Sequence, residues 1–453
     1  MVAFLNRENT VAPLDFNRWL VPPAALSIHL AIGQAYAFSV FNIPMSKLIG
    51  IAEPAAADWK LTTLGWIFST AIVFLGLSAA FGGTWVERAG PRKAMFASAA
   101  FFSSGFLVAA LGVAWHNISI VYLGYGVLGG IGLGLGYVSP VKTLISWFPD
   151  RPGMATGLAI MGFGGGAMIG SPLSIALMDH FKSPTSVGVA QTFVCLGLVY
   201  FVFMMWGVVT VRIPRTDWNP AGFTPKQVDQ RAMISNDDVS ASDAIRTPQF
   251  YLLWAMLFLN VTAGIGVLGQ ASAMIQEMFK GRITPAAAAG FVGLLSLFNM
   301  GGRFLWSSTS DYIGRKRTYM IFFALGSVLY ALTPTSGHAG SVTLFVALYA
   351  LIMSMYGGGF ATIPAYLSDV FGKAQVSAIH GRLLTAWSAA GVAGPVLVNY
   401  IREYQIESGV APANSYSFTM YLMACLLVLG GICNYFVGHV DSKFHILRAE
   451  SPA

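Results

Sequence analysis

Gly83-Thr84-Trp85-Val86-Glu87-Arg88-Ala89-Gly90-Pro91-Arg92-Lys93 follows one apolar run, and Ser307-Ser308-Thr309-Ser310-Asp311-Tyr312-Ile313-Gly314-Arg315-Lys316-Arg317 follows another. Each stretch carries an acid, a glycine three residues later and then a basic cluster, and the two acids are 224 residues apart. Two more landmarks keep the interval. Trp147-Phe148-Pro149 and Val370-Phe371-Gly372 close apolar runs 223 apart, and Ser171-Pro172 answers Gly394-Pro395 at the same distance. A looser echo pairs Gly33-Gln34-Ala35 with Gly269-Gln270-Ala271. A chain that repeats itself at one fixed offset is built from two similar halves.

The composition says what the halves are made of. Of 453 residues, 55% are hydrophobic and 10% are charged, against about 25% charged in soluble chains. That excludes a water-facing surface and disorder. Three cysteines exclude a disulfide scaffold. A bilayer core needs about 20 apolar residues per helix. Twelve stretches qualify: 19–44, 61–86, 94–115, 118–146, 153–178, 188–211, 249–278, 287–309, 318–334, 341–367, 375–401 and 416–438. They are too long and too unbroken for strands of a β-barrel, and the first is too long for the core of a cleaved signal peptide.

Lys and Arg set the expected orientation. Seventeen lie in the segments on the side of the N-terminus and six on the opposite side, which predicts both termini in the cytosol. Lys142, Arg303 and Arg382 complete the total of 26, and all three fall within spans with no acid at mid-span beside them. The formal charge of +7 is therefore mostly topology and implies no nucleic acid. The expected organisation is a six-helix bundle over 1–211, a cytosolic linker over 212–248 with too few apolar residues for a core, a second bundle over 249–439, and a tail over 440–453. Parallel repeats of this kind occur in secondary transporters, with the substrate site at the repeat interface.

The two opening stretches resemble the G-x-x-x-D-R-x-G-R-R/K signature of the major facilitator superfamily, with Glu87 in place of Asp in the first copy and Ser307 in place of Gly in the second. Longer strings are similar to the oxalate/formate antiporter family: Trp147-Phe-Pro-Asp-Arg151-Pro-Gly153-Met-Ala-Thr-Gly157, Met161-Gly-Phe-Gly-Gly-Gly166, Gly357-Gly-Gly-Phe-Ala-Thr-Ile-Pro364 and Ile379-His-Gly-Arg382-Leu-Leu-Thr-Ala-Trp387-Ser. Monocarboxylate transporters are more distant relatives. The resemblance implies an all-α integral membrane protein of twelve transmembrane helices in two bundles that rock about a central cavity.

Arg303 is the leading ligand candidate. At 1.5 Å per residue it lies about 12 Å along its helix from Asp311, inside the bilayer, where an Arg costs about 2.5–3.5 kcal/mol on insertion scales. A carboxylate substrate supplies the missing partner through a charge-assisted bond. The competing reading is an Arg that snorkels or bonds backbone carbonyls. The position 224 earlier is Ala79, so the site is asymmetric. The resemblance implies the same: this Arg is a substrate ligand in the monocarboxylate relatives. The eleventh-span Lys of the oxalate transporters registers on Trp387, so one central cation remains, and that suits a monocarboxylate better than a dianion. The acid four residues before the Arg in monocarboxylate transporters is Asn299 here, and their first-span Lys is Val40, which argues against proton coupling through those groups.

Gln34, Tyr36, Tyr125, Gln270, Tyr356 and Trp387 are the expected pocket residues, the glutamines as amide donors and the aromatics as apolar walls. His29 is read either as a titrating group or, the favoured reading, as a buried neutral imidazole on a backbone carbonyl. Glu87, Arg88, Arg92, Asp311, Arg315, Lys142, His380 and Arg382 are expected to gate the cavity or to hold one conformation. The glycines of spans 4 and 5 permit close helix approach and have no strand before them to make a nucleotide loop. No metal ligand set, nucleophile–base pair or P-loop is recognisable.

The expectation is a secondary transporter of small carboxylate anions, with formate, lactate or pyruvate favoured over oxalate. It is expected to work as an antiporter, with proton symport and a carboxylate sensor as alternatives. Its expected place is the inner (plasma) membrane, as a monomer, with no cofactor, no metal and no enzyme activity.

Overall fold

The computed structural model describes residues 3–216, 218–220, 222 and 237–446. Within them lie twelve helices long and apolar enough to cross a membrane: span 1 (Arg18–Met45), span 2 (Leu61–Ala89), span 3 (Pro91–Ala114), span 4 (Ile118–Trp147), span 5 (Pro152–Phe181), span 6 (Val189–Thr210), span 7 (Pro248–Met278), span 8 (Pro285–Ile313), span 9 (Arg315–His338), span 10 (Val342–Phe371), span 11 (Val376–Glu407) and span 12 (Ser417–Phe436). Phe81, Val202 and Tyr400 stand largely exposed on the outside, as suits a lipid-facing surface.

Local chemistry sets the ends. Pro opens spans 3, 5, 7 and 8, where its missing N–H would have been unpaired in any case. The hydroxyls of Thr247 and Thr284 accept from the amides of Phe250 and Ala287 and cap spans 7 and 8. Gly90 and Gly314 end spans 2 and 8 at φ of 84° and 88°. This is a backbone that only glycine adopts without strain, and it turns the chain sharply into spans 3 and 9.

Three spans depart from the uniform helices expected. Span 1 is α-helical over Val21–Ile32, a tighter 3₁₀ helix over Gly33–Phe41 and α-helical again over Asn42–Met45. Span 4 is a wider π-helix over Tyr122–Gly129. Span 11 breaks at Leu384, between Val376–Leu383 and Thr385–Glu407, where Trp254 Nε1 donates to Thr385 Oγ1 at 2.9 Å. Spans 9 and 11 also run longer than expected, to His338 and Glu407.

Spans 1–6 pack on one another, as do spans 7–12; span 1 lies on 5 and 6, span 3 on 6, span 7 on 11 and 12, and span 8 on 10. Between the halves, span 5 packs on span 8 and span 2 on span 11, pairings that exchange under the six-span repeat. Packing is close: a Cβ on Gly33 would meet the Phe163 carbonyl oxygen at 2.5 Å, and one on Gly166 would meet Gly33 at the same distance. The described ends of the linker dock at one face of the molecule. Ala12 N donates to Ile213 O at 2.9 Å and Ile213 N to Thr10 O at 3.0 Å, Val239 N donates to Phe371 O at 2.9 Å, and Ala241–Ala244 forms one helical turn. The rest of the linker, with Asp217, Lys226 and Arg231, lies outside the described residues, as does the tail from 447 onward with Arg448.

Candidate functional site

Arg303 sits on span 8 where it faces span 5, and it is fully buried. Its Nε donates to Asn299 Oδ1 at 3.1 Å, one turn earlier, and its Nη1 donates to the Ile160 carbonyl of span 5 at 3.3 Å. Nη2 has no hydrogen-bond partner. The guanidinium carbon lies 5.6 Å from the Phe163 ring and 5.2 Å from the Phe360 ring, so aromatic faces offset part of the cost of burying the charge. Among the described residues no carboxylate reaches it. The side chain fits because residue 164 is glycine: a Cβ there would lie 2.9 Å from Arg303 Nε.

Both halves build the walls. Tyr36 of span 1 stacks edge-on against Phe163 at 5.1 Å, and its hydroxyl meets that of Tyr356 of span 10 at 3.4 Å. Trp387 of span 11 lies 4.6 Å from Phe360 and 5.2 Å from Phe163. Tyr137 of span 4 lies 5.2 Å from Trp387. Arg303, Tyr36, Tyr356 and Trp387 are thus brought together as expected. Sequence reading missed Phe163, Phe360 and Tyr137. The repeat carried a signal for two of them, because Tyr137 and Phe360 are 223 apart.

Gln34 is placed elsewhere. Gln34 Oε1 accepts from the Tyr125 hydroxyl at 3.1 Å, and Tyr125 packs on Phe38 and Phe106 inside the first half, with Gly170 of span 5 beside Gln34. This pair joins spans 1, 4 and 5 and does not meet Arg303. Gln270 is half-buried in span 7.

The two opening stretches make reciprocal contacts between the halves. Asp311, at the end of span 8, accepts from the Gly153 and Met154 amides at 2.9 and 2.8 Å, so it caps span 5 of the other half. Glu87, at the end of span 2, accepts from the Ser377 amide at 2.9 Å and caps span 11 of the other half. Gly153 and Ser377 are themselves 224 apart. An acid at a helix N-terminus is stabilised by unpaired amides and by the helix dipole. Arg315 steadies Asp311 at 2.6 Å and reaches Asp369 at 3.1 Å. A cavity of about 290 Å³ opens beside Glu87, between Arg7, Ser146 and Trp218.

Two assignments change. Lys142 is not an unpaired cation in the bilayer: it forms an ion pair with Glu87 and donates to the Ala374 carbonyl at 2.9 Å. Arg382 donates to the Ala241 carbonyl of the linker turn. Of the three basic residues expected within spans, Arg303 alone is packed among the aromatic side chains that both halves supply. His380, two residues before Arg382, points the other way, 5.8 Å from the Tyr137 ring. Arg92 works within the first half, donating to the carbonyls of Phe4, Asn9 and Val211. Arg88 is exposed.

A model described as Major Facilitator Superfamily matches residues 24–395. The chain belongs to the Major Facilitator Superfamily. It is a multi-pass membrane transporter of that superfamily, whose members are not enzymes. An oxalate:formate antiporter of Oxalobacter formigenes is 27% identical over 83% of this chain and 83% of that protein. Apicoplast pyruvate carrier 1 of Toxoplasma gondii is 23% identical over 86% of this chain and 78% of that one. Human monocarboxylate transporter 11 is 27% identical over 36% of this chain and 32% of that one. Among solved structures, the human organic anion transporter MFSD10 superposes with a TM-score of 0.66 at 12% identity, covering 93% of this chain and all of that chain. FucP in its outward conformation superposes with a TM-score of 0.64 at 13% identity, over 92% and 99%. At these identities the superfamily fold is shared and nothing finer.

Proposed function

We propose that this transporter moves small monocarboxylate anions by alternating access, with Arg303 as the group that binds the carboxylate. The observation that carries the reading is a fully buried guanidinium whose Nη2 has no hydrogen-bond partner and which no carboxylate among the described residues reaches. A single carboxylate satisfies that nitrogen and neutralises the charge. Of the three basic residues expected within spans, Arg303 is the one left for a substrate, because Arg382 is committed to Ala241 and Lys142 to Glu87, and this favours formate, lactate or pyruvate over oxalate. The relatives named as oxalate:formate antiporter and pyruvate carrier support the class.

In this reading the halves 1–211 and 249–439 rock about the chamber, joined by 212–248, as a monomer in the plasma (inner) membrane with both termini in the cytosol. The contacts of Glu87 and Asp311 close the cytosolic side. Exchange is the mode, because an empty chamber returns with its Arg unpaired. Proton symport is the second reading, and the buried imidazoles of His29 and His380 favour it.

The test is counterflow in proteoliposomes with labelled formate, lactate, pyruvate, acetate and oxalate. Uptake of at least one monocarboxylate is expected, driven by the same anion inside and lost in Arg303→Ala. No uptake of any of them, or full transport with unchanged affinity in the variant, overturns the reading. Uptake driven by an inward proton gradient with no counter-anion selects symport.

A further inference from the structure

Tyr137 is the centre of a group of buried polar atoms beside Arg303. Its ring packs at 5.4 Å from His29, 5.2 Å from Trp387, 5.8 Å from His380 and 5.5 Å from Phe163. All of these side chains are buried. The Tyr137 hydroxyl, His29 Nε2, His380 Nε2 and Trp387 Nε1 each lack a hydrogen-bond partner. Orphaned polar atoms are costly to bury and rare in folded chains. Here three of them surround the ring that carries the fourth, next to the aromatic side chains that hold Arg303 with its own unpartnered Nη2.

Their hydrogen-bonding characters differ. His29 Nδ1 lies 3.3 Å from the Ala25 carbonyl. A carbonyl only accepts, so Nδ1 carries the proton and Nε2 of the neutral ring is a bare acceptor. Trp387 Nε1 and Arg303 Nη2 only donate, and the Tyr137 hydroxyl does both. The chamber thus offers donors beside Arg303, which suit carboxylate oxygens, and an acceptor backed by a hydroxyl at His29.

We propose that His29 and Tyr137 form a second subsite, which takes a hydroxyl on the carbon next to the carboxylate, so that 2-hydroxymonocarboxylates are the preferred substrates. This rests on the reading of Arg303 as the carboxylate ligand. The substrate hydroxyl donates to His29 Nε2 and accepts from Tyr137. A 2-oxo acid sets a carbonyl oxygen against the bare acceptor, and an alkanoate of equal length leaves both groups orphaned. A second carboxylate meets the acceptor with charge and is excluded most strongly. A site built to bond a hydroxyl rejects analogues that lack it because its own polar groups are then left unpaired.

The experiment is competition with labelled lactate in counterflow by the full chain in proteoliposomes, using unlabelled lactate, pyruvate and propionate, and glycolate and acetate as a shorter pair. Lactate is expected to compete about tenfold better than propionate, the value of one well-made hydrogen bond, with pyruvate between them. His29→Phe and Tyr137→Phe should each bring lactate to within about twofold of propionate. His29→Gln, which restores an acceptor, should recover part of the preference. Tyr137→Phe removes a single oxygen and serves if His29→Phe does not reach the bilayer. Equal competition by lactate and propionate in the unsubstituted protein overturns the subsite but leaves Arg303 as carboxylate ligand, and so does a preference that survives both phenylalanine variants. Competition by no carboxylate overturns the Arg303 reading instead.

Discussion

Asp311→Asn isolates the contact that ties span 8 to span 5. The carboxylate accepts two amides from the other half, at 2.9 and 2.8 Å, and its side chain is only 6% exposed, so water screens it little. A hydrogen bond to a charged group contributes about 1.5–3 kcal/mol, and one to a neutral group about 0.5–1.5 kcal/mol. The substitution keeps one amide oxygen and removes the charge, so two bonds weaken by about 1 kcal/mol each. Loss of the charge at the span 5 N-terminus adds about 0.3–1 kcal/mol. The closed arrangement should lose about 2–3 kcal/mol, which lowers the ratio of closed to open forms by about 30–150-fold. Arg315 keeps Asp369 at 3.1 Å, so the variant does not strand a buried cation. Glu87→Gln should do less, because Glu87 holds one amide of the other half and stands beside a cavity. Spin labels at Arg88 and Tyr312, both exposed and one in each half, report the separation of the halves at this face by pulsed electron resonance. A longer distance population should appear in Asp311→Asn and a smaller one in Glu87→Gln. Distance distributions identical to the parent in Asp311→Asn, in protein that remains folded, would refute the assignment of Asp311 as an inter-bundle contact.

Gly164→Ala places a methyl 2.9 Å from Arg303 Nε and should swing the guanidinium off Asn299, with carboxylate affinity falling about tenfold at little cost in thermal stability. Unchanged affinity would show that the fork need not be held there. In the loop between spans 1 and 2, burial pushes the Asp58 carboxyl up, but the amides of Ile49, Ala55 and Gly50, with His116 nearby, outweigh it and hold it below its ordinary value. A depressed carboxyl stabilises the loop fully above the unfolded value of about 3.9 and loses that contribution as pH falls through the folded value. Hydrogen exchange at Ile49, Gly50 and Ala55, corrected for its intrinsic rate, should therefore be slow at neutral pH and speed up only below about pH 4. Protection that is independent of pH would remove Asp58 as the cause.

The spans and their pairing were legible because twenty apolar residues in a row have few other uses and because the repeat fixed their order. The breaks were not. Span 11 stops at Leu384 where Thr385 is held by Trp254, 131 residues away, and nothing local announces it. Arg303 could be found as an expensive residue without a sequence-adjacent partner, and it keeps that status in three dimensions. Lys142 looked the same by that criterion, yet it has Glu87, 55 residues earlier, across a helix packing that sequence does not display. Gln34 and Gln270 repeat as letters but not as environments: the tight 3₁₀ turns after Gly33 coincide with a Gln34 bonded to Tyr125 inside the bundle, with Tyr36 two residues on in the chamber. A periodicity argument that assumes a uniform helix cannot separate those two positions.

The reciprocal capping of span 11 by Glu87 and of span 5 by Asp311 is the pattern that two-fold symmetry imposes on a pair of identical partners, where any contact made once is made twice. Two copies of a six-span chain would form both contacts from a single acid and a single helix start. What such a pair could not do is place an arginine on one side of its chamber and an alanine on the other. Joining the copies into one polypeptide frees each to change alone, and Arg303 opposite its counterpart Ala79 is that freedom in use. The contacts between the halves still obey the symmetry, and the buried arginine has left it.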